Sequence, residues 1–121
     1  MSLTVLAIDD SSTMRNLISM TLASAGFDVI VAEDGIDGIE KLEVSNPNII
    51  ITDINMPRMD GFGVIETVRA NPRHRDMPIL TLTTESAPEL KQRARNAGAT
   101  GWIVKPFNPE KLISVIRRVA R

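Results

Sequence analysis

The chain of 121 residues contains no cysteine. This absence excludes disulfides and thiolate metal sites, and it is typical of proteins that work in a reducing compartment. The length is that of a single domain, which can enclose one hydrophobic core but not two. We therefore expect one domain whose chemistry depends on oxygen- and nitrogen-bearing side chains.

An excess of one sign of charge is also absent, because 14 basic residues stand against 15 acidic ones and the formal net charge is −1. This balance offers no bulk attraction for nucleic acid or for an anionic membrane. No apolar run approaches the roughly 20 residues that cross a bilayer, and residues 1–4 lack the basic region of a signal peptide. The sequence thus predicts a cytoplasmic protein with no nucleic-acid or membrane partner.

Five short apolar runs recur along the chain with amphipathic segments between them. The runs are rich in β-branched residues and mostly unbroken by polar positions, which is typical of strands buried on both faces of a parallel sheet. They cover residues 5–8, 29–31, 49–51, 79–82 and 102–104.

The segments between the runs have helical patterns. Apolar residues repeat at three and four positions over residues 14–25, and Gly26 follows as a stop. Ser86 begins a predicted capping box with Pro88 at the first helical position, and this helix should end near Gly98. Asn108 is the predicted cap of the last helix.

Weaker helical patterns cover residues 36–44 and 62–70. The chain thus contains five β-α units, and this alternation predicts an α/β fold with a parallel sheet and helices on both of its faces. In such a sheet, ligands bind outside the carboxyl ends of the strands.

Four of the five predicted strands end in polar or charged residues, which the topology brings to one edge of the sheet. The residues are Asp9-Asp10 after the first strand, Asp53 after the third, Thr83-Thr84 after the fourth and Lys105 after the fifth. The second strand ends in Ala32-Glu33, which has no evident part in this set.

Three carboxylates held together repel one another unless a positive group lies among them. Mg²⁺ meets this need, since it prefers oxygen ligands and binds one or two carboxylates together with a phosphate. A lysine adds a fixed positive charge and a threonine adds a neutral donor, which completes the equipment for phosphoryl transfer to a carboxylate. The set leaves open which aspartate is the nucleophile. Asp53 is favoured because it ends the expected central strand and precedes a loop that can turn a carbonyl toward a metal.

The same residues lie in motifs that resemble the receiver domain of two-component response regulators, in particular the single-domain, CheY-like chemotaxis regulators. The matching motifs are Asp9-Asp10, Asp53-Ile54-Asn55-Met56-Pro57, Met59-Asp60-Gly61, Thr83 and Lys105-Pro106-Phe107. The resemblance covers residues 1–121 as one receiver domain with no output domain. It implies a doubly wound, flavodoxin-like sheet with strand order 2-1-3-4-5.

The resemblance also implies a role for each residue of the phosphorylation site. Asp53 would be the phospho-acceptor, and Lys105 would bond the phosphoryl oxygens. Mg²⁺ would be held by Asp9, Asp10, Asp53 and the backbone carbonyl of Asn55.

Further residues would transmit and tune the signal. Thr83, with Thr84 beside it, would respond to the phosphoryl group, and Pro106 would follow a cis peptide bond. Trp102 would be the aromatic switch, although this family usually has tyrosine or phenylalanine there, and we hypothesise that it still responds. Asn55 and Glu85 would flank the path of the hydrolytic water and tune dephosphorylation.

The function implied is a monomeric signalling switch rather than an enzyme, with only self-phosphorylation and autodephosphorylation as its own reactions. A histidine kinase or phosphotransfer protein would donate the phosphoryl group. The target would bind the face formed by the fourth helix, fifth strand and fifth helix, and a flagellar motor switch is the expected target if the pathway is chemotaxis.

Other functions fit parts of the same pattern. A phosphate sink or phosphorelay intermediate would share the whole site. An aspartyl-phosphate phosphatase is a more distant alternative, because Asn55 stands where such enzymes carry a general acid. A dinucleotide site is disfavoured, since Gly61-Phe62-Gly63 has no third glycine at the required spacing.

Overall fold

A computed structural model describes residues 2–120, so residues 1 and 121, the ends of the predicted domain, lie outside this range. Strands and helices alternate through the described chain as predicted. They are β1 (Thr4–Ile8), α1 (Ser12–Ser24), β2 (Asp28–Ala32), α2 (Gly35–Val44), β3 (Ile49–Thr52), α3 (Gly61–Ala70), β4 (Ile79–Thr83), α4 (Pro88–Ala97), β5 (Gly101–Val104) and α5 (Pro109–Val119). A short 3₁₀ turn, Pro72–His74, separates α3 from β4.

The five strands form one parallel sheet in the order β2-β1-β3-β4-β5, which confirms the predicted topology. The register aligns the carboxyl ends of the two central strands, because Ile8 of β1 pairs with Thr52 of β3. The residues that follow these two, Asp9 and Asp53, therefore leave the sheet side by side. None of the helices within residues 2–120 has the length and apolar character needed to cross a membrane.

Alternate residues of each central strand face opposite sides of the sheet, so the sheet separates two apolar cores. Leu6 and Ile8 point into the core covered by α2, α3 and α4. Val5 and Ala7 point into the core covered by α1 and α5. The helices contribute mainly Leu42, Val64, Ile65, Val68 and Ala94 to the first core, and Ile18, Leu22, Leu112 and Ile116 to the second.

The prediction that the strands are buried on both faces is confirmed for β1, β3 and β4. It was wrong for the two edge strands, β2 and β5. All of β4 is buried, whereas β5 is only partly covered and Val104 is 38% exposed. The reason is positional, since an edge strand has a neighbouring strand on one side only.

The predicted helix signals were right for α5 and wrong in detail for α4. The Asn108 side chain accepts a hydrogen bond from the Lys111 amide at 3.0 Å, as a cap should. For α4 the cap residue is Ala87, which offers no side-chain hydrogen bond, and Ser86 lies one residue too early. Pro88 takes the first helical position, so the residue directly before it must occupy the cap.

Arg69, near the end of α3, connects three chain segments through its half-buried guanidinium group. Nε and Nη2 donate to the Gly98 carbonyl at 3.0 and 2.8 Å, and Nη1 donates to the His74 carbonyl at 3.2 Å. Gly98 ends α4 with a φ of 114°, and a β-carbon there would lie 2.8 Å from the Arg69 side chain. This contact therefore needs both glycine and arginine.

We expect Arg69→Met to lower the free energy of unfolding by about 1–3 kcal/mol, because the carbonyls lose a charged donor. Urea denaturation followed by circular dichroism measures this change. Arg73→Met is the matched control, since Arg73 is exposed in the 3₁₀ turn. Equal stability of the two variants would contradict the role given to Arg69.

Candidate functional site

Three aspartates meet at the carboxyl edge of the sheet, where the sequence predicted them. Asp9 is buried, the Asp53 side chain is 12% exposed and Asp10 is exposed. Each offers one carboxylate oxygen, and these oxygens lie within 4.8 Å of one another. Such a set of hard oxygen donors suits a divalent cation.

Lys105 completes the cluster from the end of β5. Its Nζ lies 2.8 Å from Oδ2 of Asp9 and 3.0 Å from Oδ2 of Asp53, and its side chain is 9% exposed. Burial favours the neutral amine, but the hydrogen bonds and charges of Asp9 and Asp53 outweigh it and raise the pKa of Lys105 above its ordinary value. The ammonium form is therefore the stable one, and three carboxylates around it leave a surplus of negative charge for a cation to neutralise.

Asp9 and Asp53 each use the remaining oxygen to accept a hydrogen bond from a backbone amide, and they differ in their exposure. Oδ1 of Asp9 accepts from the Ser11 amide at 2.9 Å, so both oxygens of this buried carboxylate are engaged. Oδ1 of Asp53 accepts from the amide of Ile54 at 2.6 Å, in the turn that leaves β3. Asp53 is the more exposed of the two and opens toward the edge of the sheet.

Glu85 connects the predicted switch and tuning residues in a way that the sequence did not reveal. Its amide donates to the buried hydroxyl of Thr83 at 3.3 Å, and its carboxylate accepts from Nδ2 of Asn55 at 2.8 Å. Its backbone carbonyl accepts from the indole N–H of Trp102 at 2.9 Å. One residue thus joins the loops after β3 and β4 to the edge strand β5.

The remaining predicted residues are placed as follows. Thr84 is exposed, and within residues 2–120 its side chain forms no hydrogen bond. The Lys105–Pro106 peptide bond is cis, the isomer that the resemblance implies. The Lys105 amide donates to the Thr83 carbonyl at 2.8 Å, which continues the β4–β5 ladder up to the site.

A buried acid beside the site was not singled out from the sequence. Asp34 follows β2, and its Oδ1 accepts from the Asp37 amide at 2.8 Å, so it caps α2. Its Oδ2 lies 3.5 Å from Nε of Arg58, in the loop after β3. The signal available in the sequence was an aspartate directly before a predicted helix, which is a common cap.

A surface groove runs along β5 and α5, on the face that the resemblance assigns to the target. Trp102, Val104 and Phe107 contribute apolar surface, and Lys111 and Arg118 lie on its α5 side. The groove extends along β5 as far as Pro106, the residue that follows Lys105 of the acidic cluster.

The sequence of this chain is similar to those of known proteins of one family. The family model of the response regulator receiver domain matches residues 5–117. The chain is 43% identical over 110 residues to the chemotaxis protein CheY1 of Helicobacter pylori, covering 89% of each chain. The match to the family model includes the stretch from Asp9 to Lys105 that carries the site.

Solved structures agree with this assignment. The chemotaxis protein CheY4 of Vibrio cholerae is 45% identical with a TM-score of 0.93, covering 98% of this chain and 99% of the other. The receiver domain of the sensor histidine kinase PA1611 of Pseudomonas aeruginosa, which has a magnesium ion coordinated in its active-site cleft, is 25% identical with a TM-score of 0.90, covering 98% of each chain. With five parallel strands in the same order and an acidic cluster at their carboxyl edge, the chain belongs to the response regulator receiver domain family.

Proposed function

We propose that the protein is a phosphorylation-dependent signalling switch of a two-component system, with Asp53 as the phospho-acceptor. The observation that carries this proposal is the Lys105 ammonium group between Asp9 and Asp53, with Asp10 within reach. A phosphoryl group bonded to Asp53 would lie beside a fixed cation, where its negative charge is stabilised.

The choice of Asp53 over its neighbours has a physical basis. Asp9 is 1% exposed, so a phosphoryl donor has almost no access to its carboxylate. Asp10 is exposed, but among the described residues Lys105 bonds Asp9 and Asp53 only. Asp53 alone combines contact with Lys105 and an opening to solvent.

The reaction moves one phosphoryl group. A carboxylate oxygen of Asp53 forms a bond to phosphorus, and the bond from phosphorus to the donor histidine of a kinase or phosphotransfer protein breaks. Water later attacks the phosphorus of the aspartyl phosphate, which releases inorganic phosphate and restores the Asp53 carboxylate. Mg²⁺ fits the oxygen set of Asp9, Asp10 and Asp53, to which the family resemblance adds the Asn55 carbonyl, and when bound it supplies the charge neutralisation that phosphoryl transfer requires.

These reactions make the protein an acceptor that resets itself rather than an enzyme for a separate substrate. A phosphatase of the aspartyl-phosphate type needs a general acid two residues after its nucleophile. Here that residue is Asn55, which cannot supply a proton in that way and whose amide is bonded to Glu85.

The signal would pass through the Glu85 contacts. If the Thr83 side chain moves so that its hydroxyl donates to a phosphoryl oxygen, its Oγ1 leaves the Glu85 amide and the loop after β4 must adjust. The Glu85 carbonyl holds the Trp102 indole, so the adjustment changes the β5 surface. Phosphorylation would then bias two arrangements of one loop, which is how such switches act at a distance.

Relatives of 43–45% identity that are chemotaxis proteins support chemotaxis as the pathway. The groove along β5 and α5 would then bind the target, with a flagellar motor switch as the proposed one. Its apolar floor and its basic residues Lys111 and Arg118 suit an amphipathic protein segment.

The first test is chemical. Incubation with acetyl phosphate and Mg²⁺ should add one phosphoryl group, seen as an increase in intact mass. The reason is that the Lys105 ammonium group already contacts Asp53 in the unmodified protein. Asp53→Asn should gain none, and chelation of Mg²⁺ should abolish the gain. A wild-type protein that binds Mg²⁺ and still remains unmodified would refute Asp53 as acceptor.

Trp102 provides a second test, since it is the only tryptophan in the sequence. Its fluorescence should change when acetyl phosphate and Mg²⁺ are added, because the indole is bonded to the loop that moves. Thr83→Ala should still take up the phosphoryl group but lose most of the fluorescence change. An unchanged emission in the phosphorylated wild type would mean that Trp102 does not switch.

The proposed target gives a third test. Phosphorylation should tighten binding to a motor-switch peptide by at least about fivefold, the lower end of ordinary coupling between two sites. Fluorescence anisotropy of the labelled peptide measures the affinity, with Asp53→Asn as the control that gains nothing. Equal affinity in both states would favour a phosphate sink or relay protein instead.

A further inference from the structure

The loop from Asp53 to α3 is fixed at its base and exposed at its tip. At the base, the Gly61 amide donates to the carbonyl of buried Ile54 at 2.9 Å. At the tip, Asn55, Pro57 and Arg58 are exposed. Asn55, whose carbonyl belongs to the proposed metal site, is held by this base and by its side-chain bond to Glu85, and its position also depends on how the tip of the loop is fixed.

The tip is held from outside, by the loop between β2 and α2. The Gly35 amide donates to the Met59 carbonyl at 3.2 Å. The two loops approach so closely that a β-carbon on Gly35 would lie 2.4 Å from that carbonyl oxygen. One residue earlier, Oδ2 of Asp34 lies 3.5 Å from Nε of Arg58.

Asp34 is unusual for a charged residue, because its side chain is only 6% exposed. Capping of α2 uses Oδ1 alone, and an uncharged asparagine or serine would perform that task as well. The second oxygen faces Arg58, so the charge of Asp34 has a partner in the β3–α3 loop and nowhere else among the hydrogen bonds and ion pairs of residues 2–120.

Arg58 is equally unusual in its backbone. Its φ of 68° lies in the left-handed region, and it is the only residue other than glycine with a positive φ in the described range. Glycine or asparagine adopts this conformation more readily than a long side chain does. An arginine at this position contributes a guanidinium group that those residues lack.

We propose that Asp34 and Arg58 are positioning residues for the metal site. Their ion pair holds the tip of the β3–α3 loop against the β2–α2 loop, and so limits the movement of the segment that carries Asn55, whose carbonyl the proposed metal site uses. The inference rests on the proposed function, because it assigns these two residues to the Mg²⁺ site described above.

Arg58→Gly tests this proposal, because the loss of charge and the loss of positioning would change the Mg²⁺ affinity in opposite directions. The melting temperature reports separately on the stability of the fold. Removing a positive charge near the site should, by simple electrostatics, tighten Mg²⁺ binding. Relief of the left-handed backbone should maintain or raise the melting temperature. Loss of positioning should instead weaken Mg²⁺ binding, by about two- to fivefold for a partly exposed ion pair.

Isothermal titration calorimetry with MgCl₂, well below the melting temperature, measures the dissociation constant, and thermal melts are recorded alongside. Arg58→Lys keeps the charge and should bind Mg²⁺ nearly as the wild type does. Arg73→Gly removes an equal charge far from the loop and should leave the dissociation constant unchanged. In an Asp34→Asn background, Arg58→Gly should have little further effect, since the pair is already broken.

Weaker Mg²⁺ binding by Arg58→Gly at an undiminished melting temperature supports the proposal. Binding as tight as in the wild type, or tighter, overturns it. A melting temperature that falls together with affinity also overturns it, because Arg58 would then support the fold alone. If the wild type binds no Mg²⁺, the proposed function itself fails, and this inference fails with it.

Discussion

A single ammonium group lies between two carboxylates at the end of the sheet, and most of the site can be understood from that contact. Lys105 reaches Asp9 and Asp53 because β1, β3 and β5 are parallel and end at the same edge. The register that pairs Ile8 with Thr52 places the two acids side by side. Without the lysine, the buried charge of Asp9 would lack a cationic partner, which is costly in a protein interior.

The second organising residue is Glu85, which brings together groups from β4, β5 and the loop after β3. Its amide, carbonyl and carboxylate each contact a different residue: Thr83, Trp102 and Asn55. The three contacts share one residue, so a displacement of the Glu85 backbone would alter more than one of them. The acidic cluster and the surface of β5 are thereby linked through a few hydrogen bonds rather than through the core.

Much of this could be predicted from the sequence, for a physical reason. The strands are short and apolar, and parallel topology fixes which of their ends meet, so the positions of Asp9, Asp53, Thr83 and Lys105 followed from pattern alone. Contacts between loops could not be predicted in that way. The bonds from Glu85 to Asn55 and from Asp34 to Arg58 join residues 30 and 24 positions apart through side-chain geometry, which leaves no periodic signal. The exposure of β5 was missed because it depends on being at the edge of the sheet.

The surplus of negative charge at the site has a consequence for how such a sequence can change over time. The three carboxylates near the single ammonium group repel one another. Replacement of one acid by a neutral residue of similar shape would therefore remove an unfavourable interaction from the folded protein when no cation is bound. Selection for stability alone would therefore tend to erase the cluster. The cluster is then explained by the function proposed for it rather than by the stability of the fold, as expected where stability and activity compete.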